Sequence, residues 1–158
     1  MDEDQRDILI EAFSNVIEKL AFMFVIPWDK EEIPRMESRC VTASLDFTGY
    51  KAGQMSIIAP DGMCVDLAAN VLGVDRDDEK ARERGKDSFK ELVNVTCGNF
   101  LHMFSGSDNV YKLHPPEAVD AGAGEWQRYL EDPESVSLNV DETPVMLRIH
   151  FNDEAKTG

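Results

Sequence analysis

Near the start of the chain, hydrophobic residues recur every three or four positions. The pattern extends from about Gln5 to Phe24 and includes Leu9 and Phe13 among its apolar positions. This spacing is typical of an amphipathic helix that buries one face. Prolines and charged residues follow over positions 27–34, and they predict a connection on the surface.

A change to alternating apolar and polar residues predicts two β-hairpins. The alternation runs from 39 to 47, and an apolar segment at 55–59 returns after turn residues that include two glycines. The same period of two recurs over 136–140 and 145–151. Because successive side chains of a strand point to opposite faces, each pair of segments predicts two strands joined by a turn.

Helical spacing returns between the two hairpins. Asp61 or Gly62 can cap a short helix that ends at Gly73, since these residue types are favoured at helix N-caps and C-caps. The apolar residues of this segment include Val71 and Leu72, and the pattern predicts that they face inward.

The longest helix is predicted next. Aspartates crowd positions 75–78, where the exposed N–H groups of a helix start favour acidic residues, and the apolar pattern continues to about Phe104. Beyond it, 110–113 predicts a short strand and 117–134 an acidic loop that could hold a short helix near Trp126.

Together these elements predict one α+β domain. Its antiparallel sheet is built from hairpins and carries an N-terminal helix and a long second helix. The 158 residues suit a single domain over 1–158, with a core at about 5–151 and a flexible tail at 152–158. A chain of this length buries enough surface to fold without a disulfide or a structural metal.

The charge of the chain excludes some partners. It has 31 Asp plus Glu against 16 Lys plus Arg, a formal net charge of −15, which would repel nucleic acid. No apolar run approaches the roughly 20 residues of a membrane-spanning helix, so we expect no membrane insertion. The acidic start at 1–4 argues against export. Cys40, Cys64 and Cys97 form no C-x-x-C pair, and we expect reduced thiols and a cytoplasmic protein.

One face of the long helix carries the candidate chemistry. At about 100° per residue, Asp87, Glu91, Asn94 and Gly98 fall in a stripe about 60° wide. The opposite side carries the apolar residues Phe89, Leu92, Val93, Phe100 and Met103. A glutamate and an asparagine one turn apart are also frequent on solvated helices. Here, however, Gly85 and Gly98 each cost the helix roughly 0.5–1 kcal/mol relative to alanine, and a missing side chain at Gly98 would let another surface come close.

These residues resemble the signature of a known family. The segment Asp87-x-x-x-Glu91-x-x-Asn94, with Gly98-Asn99 behind it and Pro116 after 21 residues, is similar to the motif of the CheC, CheX and FliY chemotaxis phosphatases. The preceding hairpin and short helix resemble the same family. This context makes the match fairly specific, because the short motif alone is weak.

The likeness covers most of residues 5–116. CheC-like members carry two phosphatase helices, whereas the N-terminal helix here offers only Glu11 and Asn15, four apart instead of three. The chain therefore looks most like CheX, whose members have one site and a similar α/β domain on an antiparallel sheet. The resemblance also implies a homodimer formed by joining sheets. The acidic segment 117–134 is longer than we expect in the family.

The resemblance implies a hydrolase that removes the aspartyl phosphate of a CheY-like response regulator. Glu91 and Asn94 would be the catalytic pair, inserted on their helix into the active site of the regulator. Asn94 would orient the attacking water and Glu91 would pair with the lysine of the regulator. We expect no metal site and no cofactor in this chain, because the regulator supplies its own Mg²⁺.

The remaining motif residues have less direct roles. Asp87 and Gly98 are expected to contact the partner, although Asp87 could equally favour the early part of the helix. Asn99 and Pro116 are expected to be structural, since a proline ring without an N–H offers no catalytic group.

Two other functions are open from the sequence. A non-catalytic module of the same fold could dock to a response regulator, a flagellar switch component or a sensory protein. An unrelated metal-dependent or nucleophilic hydrolase is disfavoured, because the three histidines share no ligand spacing and Cys97 stands five residues from His102, on another side of the helix.

Overall fold

A seven-stranded antiparallel sheet forms the centre of the computed structural model, which describes residues 1–36 and 39–152. The strands are β1 (Val25–Pro27), β2 (Cys40–Gly49), β3 (Gly53–Pro60), β4 (Tyr111–Leu113), β5 (Glu117–Ala121), β6 (Val136–Val140) and β7 (Thr143–Phe151). Their order across the sheet is β1-β6-β7-β3-β2-β4, and β5 also pairs with β2. The α+β class predicted from the sequence is confirmed.

Both predicted hairpins are confirmed. The β2 and β3 strands pair from Cys40 opposite Pro60 to Phe47 opposite Gly53, and β6 and β7 pair from Val136 opposite Leu147 onward. The contact between β3 and β7 joins the two hairpins into one sheet. A strand near the start of the chain was not predicted: within the expected surface connection, β1 pairs with β6.

Five α-helices accompany the sheet in the described part of the chain: α1 (Glu3–Ala21), α2 (Asp61–Leu72), α3 (Glu79–Glu83), α4 (Gly85–Ser105) and α5 (Ala123–Glu131). A capping box between Asp2 and Gln5 starts α1, so two backbone N–H groups gain acceptors. Phe22 ends α1 in the left-handed conformation, with φ of 56°. The predicted bounds of α1 and α2 are close to those observed.

The predicted long helix is in fact two helices. Arg84 has φ of −97° and ψ of 2°, which interrupts the helix and separates α3 from α4. Gly85 is therefore the first residue of α4 and not an interior glycine. A Cβ built on Gly85 would lie 3.5 Å from the Cβ of Cys64 on α2, an ordinary van der Waals distance, so α4 begins in close contact with α2.

The main core lies between one face of the sheet and α1, α2 and α4. Its buried side chains include Phe13, Ile17, Leu45, Phe47, Leu67, Phe89, Leu92, Val93, Phe100 and Leu147. The predicted apolar side of α4 is thus buried, although Met103 is only half-buried. Burial of this side fixes which side of α4 faces outward.

A second, smaller core covers part of the opposite face of the sheet. Trp126 and Tyr129 of α5 are buried there against Cys40, Ile58 and Met146. The Tyr129 hydroxyl donates a hydrogen bond of 2.8 Å to Ser56 Oγ on β3. Because both faces of β3 are covered at this end, residues 55–59 are all buried and read as a continuous apolar run.

The segment 117–134 was predicted as an acidic loop with a short helix, and the loop part is wrong. Residues Glu117–Ala121 form β5, which pairs with the first half of β2, from Cys40 to Ser44. Asp120 of β5 also forms an ion pair with Lys86 of α4, at 3.0 Å. The acidic residues of β5 hid its strand character, because half of its side chains face solvent.

Val71 and Leu72 correct another expectation. They are 41% and 45% exposed at the end of α2, whereas Leu67 and Ala68 one turn earlier are buried. The neighbouring α1 ends at Ala21, whose carbonyl accepts a hydrogen bond of 2.9 Å from the Asn70 side chain. The last turn of α2 therefore extends past the end of the helix that would cover it.

The predicted tail began at Asn152, but the backbone N–H of Asn152 donates a hydrogen bond of 2.8 Å to the Ala52 carbonyl. The rest of the predicted tail, 153–158, lies outside the described residues.

Candidate functional site

The exposed side of α4 carries the predicted motif in the expected order. Asp87 and Glu91 are exposed, and Asn94 and Gly98 are half-buried. Residues four and seven positions apart lie on one side of a helix, and the opposite side is fixed in the main core. The helix therefore holds a carboxylate and a carboxamide outward on a rigid support.

Asp87 has charged neighbours within the chain. Its carboxylate lies 3.6 Å from Arg84 and 3.4 Å from Lys90. It is also in the first turn of α4, where a negative charge interacts favourably with the helix dipole. This geometry favours the structural alternative for Asp87, namely stabilisation of the helix start.

Glu91 and Asn94 differ from Asp87. Across residues 1–36 and 39–152, neither the Glu91 carboxylate nor the Asn94 amide forms a hydrogen bond or an ion pair. A carboxylate accepts hydrogen bonds or pairs with a cation, and an amide both donates and accepts. The two groups are therefore available, one turn apart, to an external partner.

Because Gly98 has no side chain, the surface of α4 is recessed beside Glu91 and Asn94. A Cβ built at Gly98 would lie 4.0 Å from Leu113 Cδ2 on β4, with no closer atom. An alanine would thus fit sterically, and packing within the chain does not explain the glycine. Asn99 is exposed next to it in sequence, but it lies outside the stripe, about 80° around the helix from Glu91.

Pro116 lies beside the sheet, in a connection between two strands, and not on the helix. It stands between β4 and β5, which pair with different parts of β2. His114 still donates a backbone hydrogen bond of 2.9 Å to Asp46, but Pro115 and Pro116 have no N–H to continue the ladder. Pro116 therefore divides one edge into two short strands, which agrees with a structural role.

The thiols are poor candidates for nucleophiles. Cys97 is fully buried, and burial raises the pKa of its thiol to about 12. Burial also raises the pKa of Cys64 to about 12. A nucleophilic cysteine needs a thiolate near neutral pH. Among the described residues, no group of three or more His, Cys, Asp or Glu side chains is arranged to hold a metal ion.

A groove beside Glu91 was missed in the sequence. It has a volume of about 270 Å³ and is lined by Leu20, Val71, Leu72, Arg84, Asp87, Ser88 and Glu91. Val71 and Leu72 at the end of α2 were the sequence signal for this groove, but their spacing predicted that they would be buried in the core. A separate polar groove of about 740 Å³, which includes Asp46, His114 and His150, contains none of the predicted catalytic residues.

Comparison with protein families gives one match. Residues 41–137 match the family model described as "Chemotaxis phosphatase CheX". The matched range is more than half of the chain and includes α4 and Pro116. No curated protein sequence matches the chain significantly.

Solved structures share the fold at low sequence identity. A chemotaxis protein CheX from Vibrio vulnificus has a TM-score of 0.70 and 16% identity, covering 94% of this chain and 97% of that one. The CheX–CheY–BeF₃–Mg²⁺ complex from Borrelia burgdorferi contains a chain with a TM-score of 0.65 and 16% identity, covering 96% and 100%. Thermotoga maritima FliY has a TM-score of 0.59 and 12% identity, covering 99% and 94%.

Among residues 1–36 and 39–152, no helix combines sufficient length with sufficient apolar character to cross a bilayer.

Proposed function

The chain belongs to the chemotaxis phosphatase CheX family, and from this premise we propose that it hydrolyses the aspartyl phosphate of a CheY-like response regulator. One observation carries the proposal: Glu91 and Asn94 project from the exposed side of α4 without partners among the described residues. The docked regulator would supply the partners that the chain itself lacks.

The chemistry requires little from the phosphatase. An aspartyl phosphate is an acyl phosphate with a good leaving group, and phosphoryl transfer depends mainly on positioning and on electrostatic stabilisation. The regulator contributes Mg²⁺ and a lysine that neutralise the phosphoryl oxygens. What it lacks is a water molecule held in line with the bond that breaks.

Asn94 suits the role of orienting this water. Its amide can donate one hydrogen bond and accept another without a change of ionisation. The loose transition state needs only a weak base, so a neutral group is adequate. Half-burial of Asn94 on a packed helix restricts its motion, which favours a defined position for the water.

Glu91 suits the role of a clamp. Its carboxylate would pair with the active-site lysine of the regulator and set the register of α4 in the complex. A charge pair that is desolvated in an interface typically costs 2–5 kcal/mol when one partner is removed, because the other charge stays buried. Glu91 would thus contribute mainly to binding and to the position of Asn94.

The other motif residues support this pair. We assign Asp87 to the start of α4 and to the rim of the interface, and Gly98 to the low surface that lets the regulator approach. Asn99 and Pro116 keep structural roles. The chain needs no cofactor of its own under this proposal.

Two partners are included in the proposal. The relative from Borrelia burgdorferi was crystallised with CheY, BeF₃ and Mg²⁺, which supports a CheY-like partner that carries Mg²⁺. A homodimer is the second, by the family resemblance, and sedimentation velocity over a range of concentrations would test it.

The test uses a ³²P-labelled chemotaxis response regulator with Mg²⁺. Loss of label is timed with the unmutated protein, with Asn94→Ala and with Asn99→Ala as a control of the same chemistry on the same helix. We expect Asn94→Ala to lower kcat by at least about 100-fold, a typical effect of losing a positioned polar group, while Asn99→Ala stays near the unmutated rate.

Three outcomes distinguish the alternatives. Accelerated hydrolysis that depends on Asn94 supports the phosphatase. Full activity of Asn94→Ala would remove this residue from the mechanism. Binding to regulators of a broad panel without any acceleration would favour the non-catalytic docking module.

A further inference from the structure

Two exposed apolar residues of α2 lie beside the side of α4 that carries Glu91 and Asn94. Val71 and Leu72 are 41% and 45% exposed although their spacing in α2 is that of a buried face. With Leu20 of α1 they form the apolar wall of the groove of about 270 Å³, and Asp87 and Glu91 of α4 belong to the opposite wall. Apolar residues that the pattern assigns to a core but the fold leaves open often mark a binding surface.

We propose that this groove is the specificity pocket for the response regulator and receives an apolar side chain that lies next to the lysine with which Glu91 pairs. The inference rests on the proposed function, because it extends the same docking surface. The groove would add an apolar contact to the polar contacts that Glu91 and Asn94 make.

Continuity with the stripe identifies the occupant. Asp87 and Glu91 belong to both the stripe and the groove, so a protein that contacts the stripe at Glu91 lies directly beside the groove. A stable interface buries about 800 Å² on each partner, far more than two side chains on one helix can supply. The groove is the adjoining apolar surface that can provide part of this area.

The size of the groove agrees with a protein side chain. Sites for small molecules usually enclose about 300–1,000 Å³ and bury most of the ligand. This groove is smaller, with apolar residues from two helices on one wall. One inserted aliphatic or aromatic side chain fits that description better than a metabolite does, and such anchors contribute most of the energy of many interfaces.

The charges around the groove specify a basic neighbour. Arg84 lies 3.6 Å from Asp87, so these two charges largely offset each other. Glu91 has no such partner among the described residues. The net charge of the lining is therefore negative and is concentrated at Glu91, which places the lysine of the regulator beside the inserted side chain.

The experiment compares Leu72→Ala and the double variant Val71→Gln/Leu72→Gln with Val119→Gln. Val119 is 55% exposed on β5 and provides a matched removal of exposed apolar surface away from the groove. Alanine and glutamine keep the helix propensity of α2, and circular dichroism melting shows whether each variant is folded. Affinity for the regulator loaded with Mg²⁺ and beryllofluoride is measured by calorimetry, and kcat and KM are measured with labelled regulator.

We expect the double variant to raise Kd and KM about tenfold, as loss of an interface anchor does, with kcat within twofold of the unmutated protein. Its heat-capacity change on binding should be less negative, because less apolar surface is buried. Leu72→Ala should have a smaller effect in the same direction, and Val119→Gln should have none.

Failure of the inference can be separated from failure of the proposed function. If the unmutated protein binds and hydrolyses but the folded double variant keeps its Kd and KM, the groove is not part of the interface. The same conclusion follows if the variants change only self-association, since a second copy of the chain would then be the occupant. If the unmutated protein neither binds nor hydrolyses, the proposed function is overturned and the inference with it.

Discussion

Gly98 of α4 faces Leu113 of β4 at a distance that would just admit one methyl group: a Cβ built on Gly98 would lie 4.0 Å from Leu113 Cδ2. Glycine in a helix costs roughly 0.8–1 kcal/mol relative to alanine, and no closer contact inside the chain requires it. A residue that lowers stability without a packing reason is typical of functional surfaces.

The first prediction concerns this glycine. Gly98→Ala should raise the free energy of unfolding by up to about 1 kcal/mol and weaken binding of the regulator, and Gly98→Leu should weaken binding further by obstructing the surface. Urea unfolding and calorimetric titration measure the two effects. Gly124→Ala is the control, because nothing lies within 4 Å of a Cβ at that helical position. Unchanged affinity in Gly98→Leu would rule out a close approach at this point.

The second prediction concerns Glu91. Glu91→Gln should raise the Kd for the Mg²⁺- and beryllofluoride-loaded regulator by at least about 30-fold, equivalent to about 2 kcal/mol, because it leaves the lysine of the regulator without a counter-charge. The effect should shrink at high salt, where charge interactions are screened. Fluorescence anisotropy at two ionic strengths provides the measurement.

The control for Glu91 is Glu11→Gln. Glu11 is exposed on α1 and, with Asn15, is the other glutamate–asparagine pair of the chain that resembles a phosphatase site. If the protein has a single site, Glu11→Gln should leave the Kd for the regulator unchanged. A comparable loss at Glu11 would instead indicate a second site.

The third prediction is a loss of stability at alkaline pH. Burial raises the pKa of Cys64 and of Cys97 to about 12, whereas an unfolded thiol titrates near 8.5. Above about pH 8.5 the unfolded chain therefore binds fewer protons than the folded chain, so the free energy of unfolding falls as pH rises towards 12.

The size of this loss can be bounded. Each thiol contributes up to about 1.4 kcal/mol per pH unit above the unfolded pKa, so between pH 7.5 and 10 the two together should cost at most about 4 kcal/mol. Urea unfolding at pH 7.5 and pH 10 measures the difference. Cys64→Ala/Cys97→Ala should be less stable at pH 7.5 but less sensitive to the change. Equal sensitivity would show that other groups cause the alkaline loss.

The fourth prediction concerns the second core. Tyr129→Phe removes the donor of the 2.8 Å hydrogen bond to Ser56 Oγ and leaves a buried hydroxyl without this partner, so it should lower the free energy of unfolding by about 1–3 kcal/mol. Tyr50→Phe is the control, since Tyr50 is 58% exposed. Because Tyr129 lies on the face of the sheet opposite α4, kcat and KM should be unchanged. A double-mutant cycle with Ser56→Ala isolates the hydrogen bond.

Local patterns predicted most of the fold. The alternation in β2 and β7 and the helical period of α1 each reflect one buried face, and such patterns do not depend on distant residues. The outward stripe of α4 followed from the same argument, because burial of Phe89 and Phe100 fixes where Glu91 and Asn94 point.

The errors arose where tertiary contacts override local patterns. β5 is acidic and was predicted to be a loop. It is a strand because its backbone forms hydrogen bonds with β2, and its composition does not indicate this pairing. The interruption at Arg84 is a change of backbone conformation, and the spacing of apolar residues does not indicate it. Val71 and Leu72 were predicted to be buried, and the early end of α1 leaves them open. The assignment of roles to Glu91 and Asn94 came from a family motif, since spacing alone only aligns them.

The division of one sheet edge by Pro115 and Pro116 has a consequence for behaviour at high concentration. At that edge β4 offers three residues and β5 five, and at the other edge β1 offers three residues that end in Pro27. An exposed sheet edge can pair with a strand of another molecule, and repeated pairing of this kind leads to aggregation. Natural proteins limit such pairing with short edge strands and with prolines. The described sheet therefore has no long free edge from which fibrils could grow, and a concentrated preparation should resist β-type aggregation.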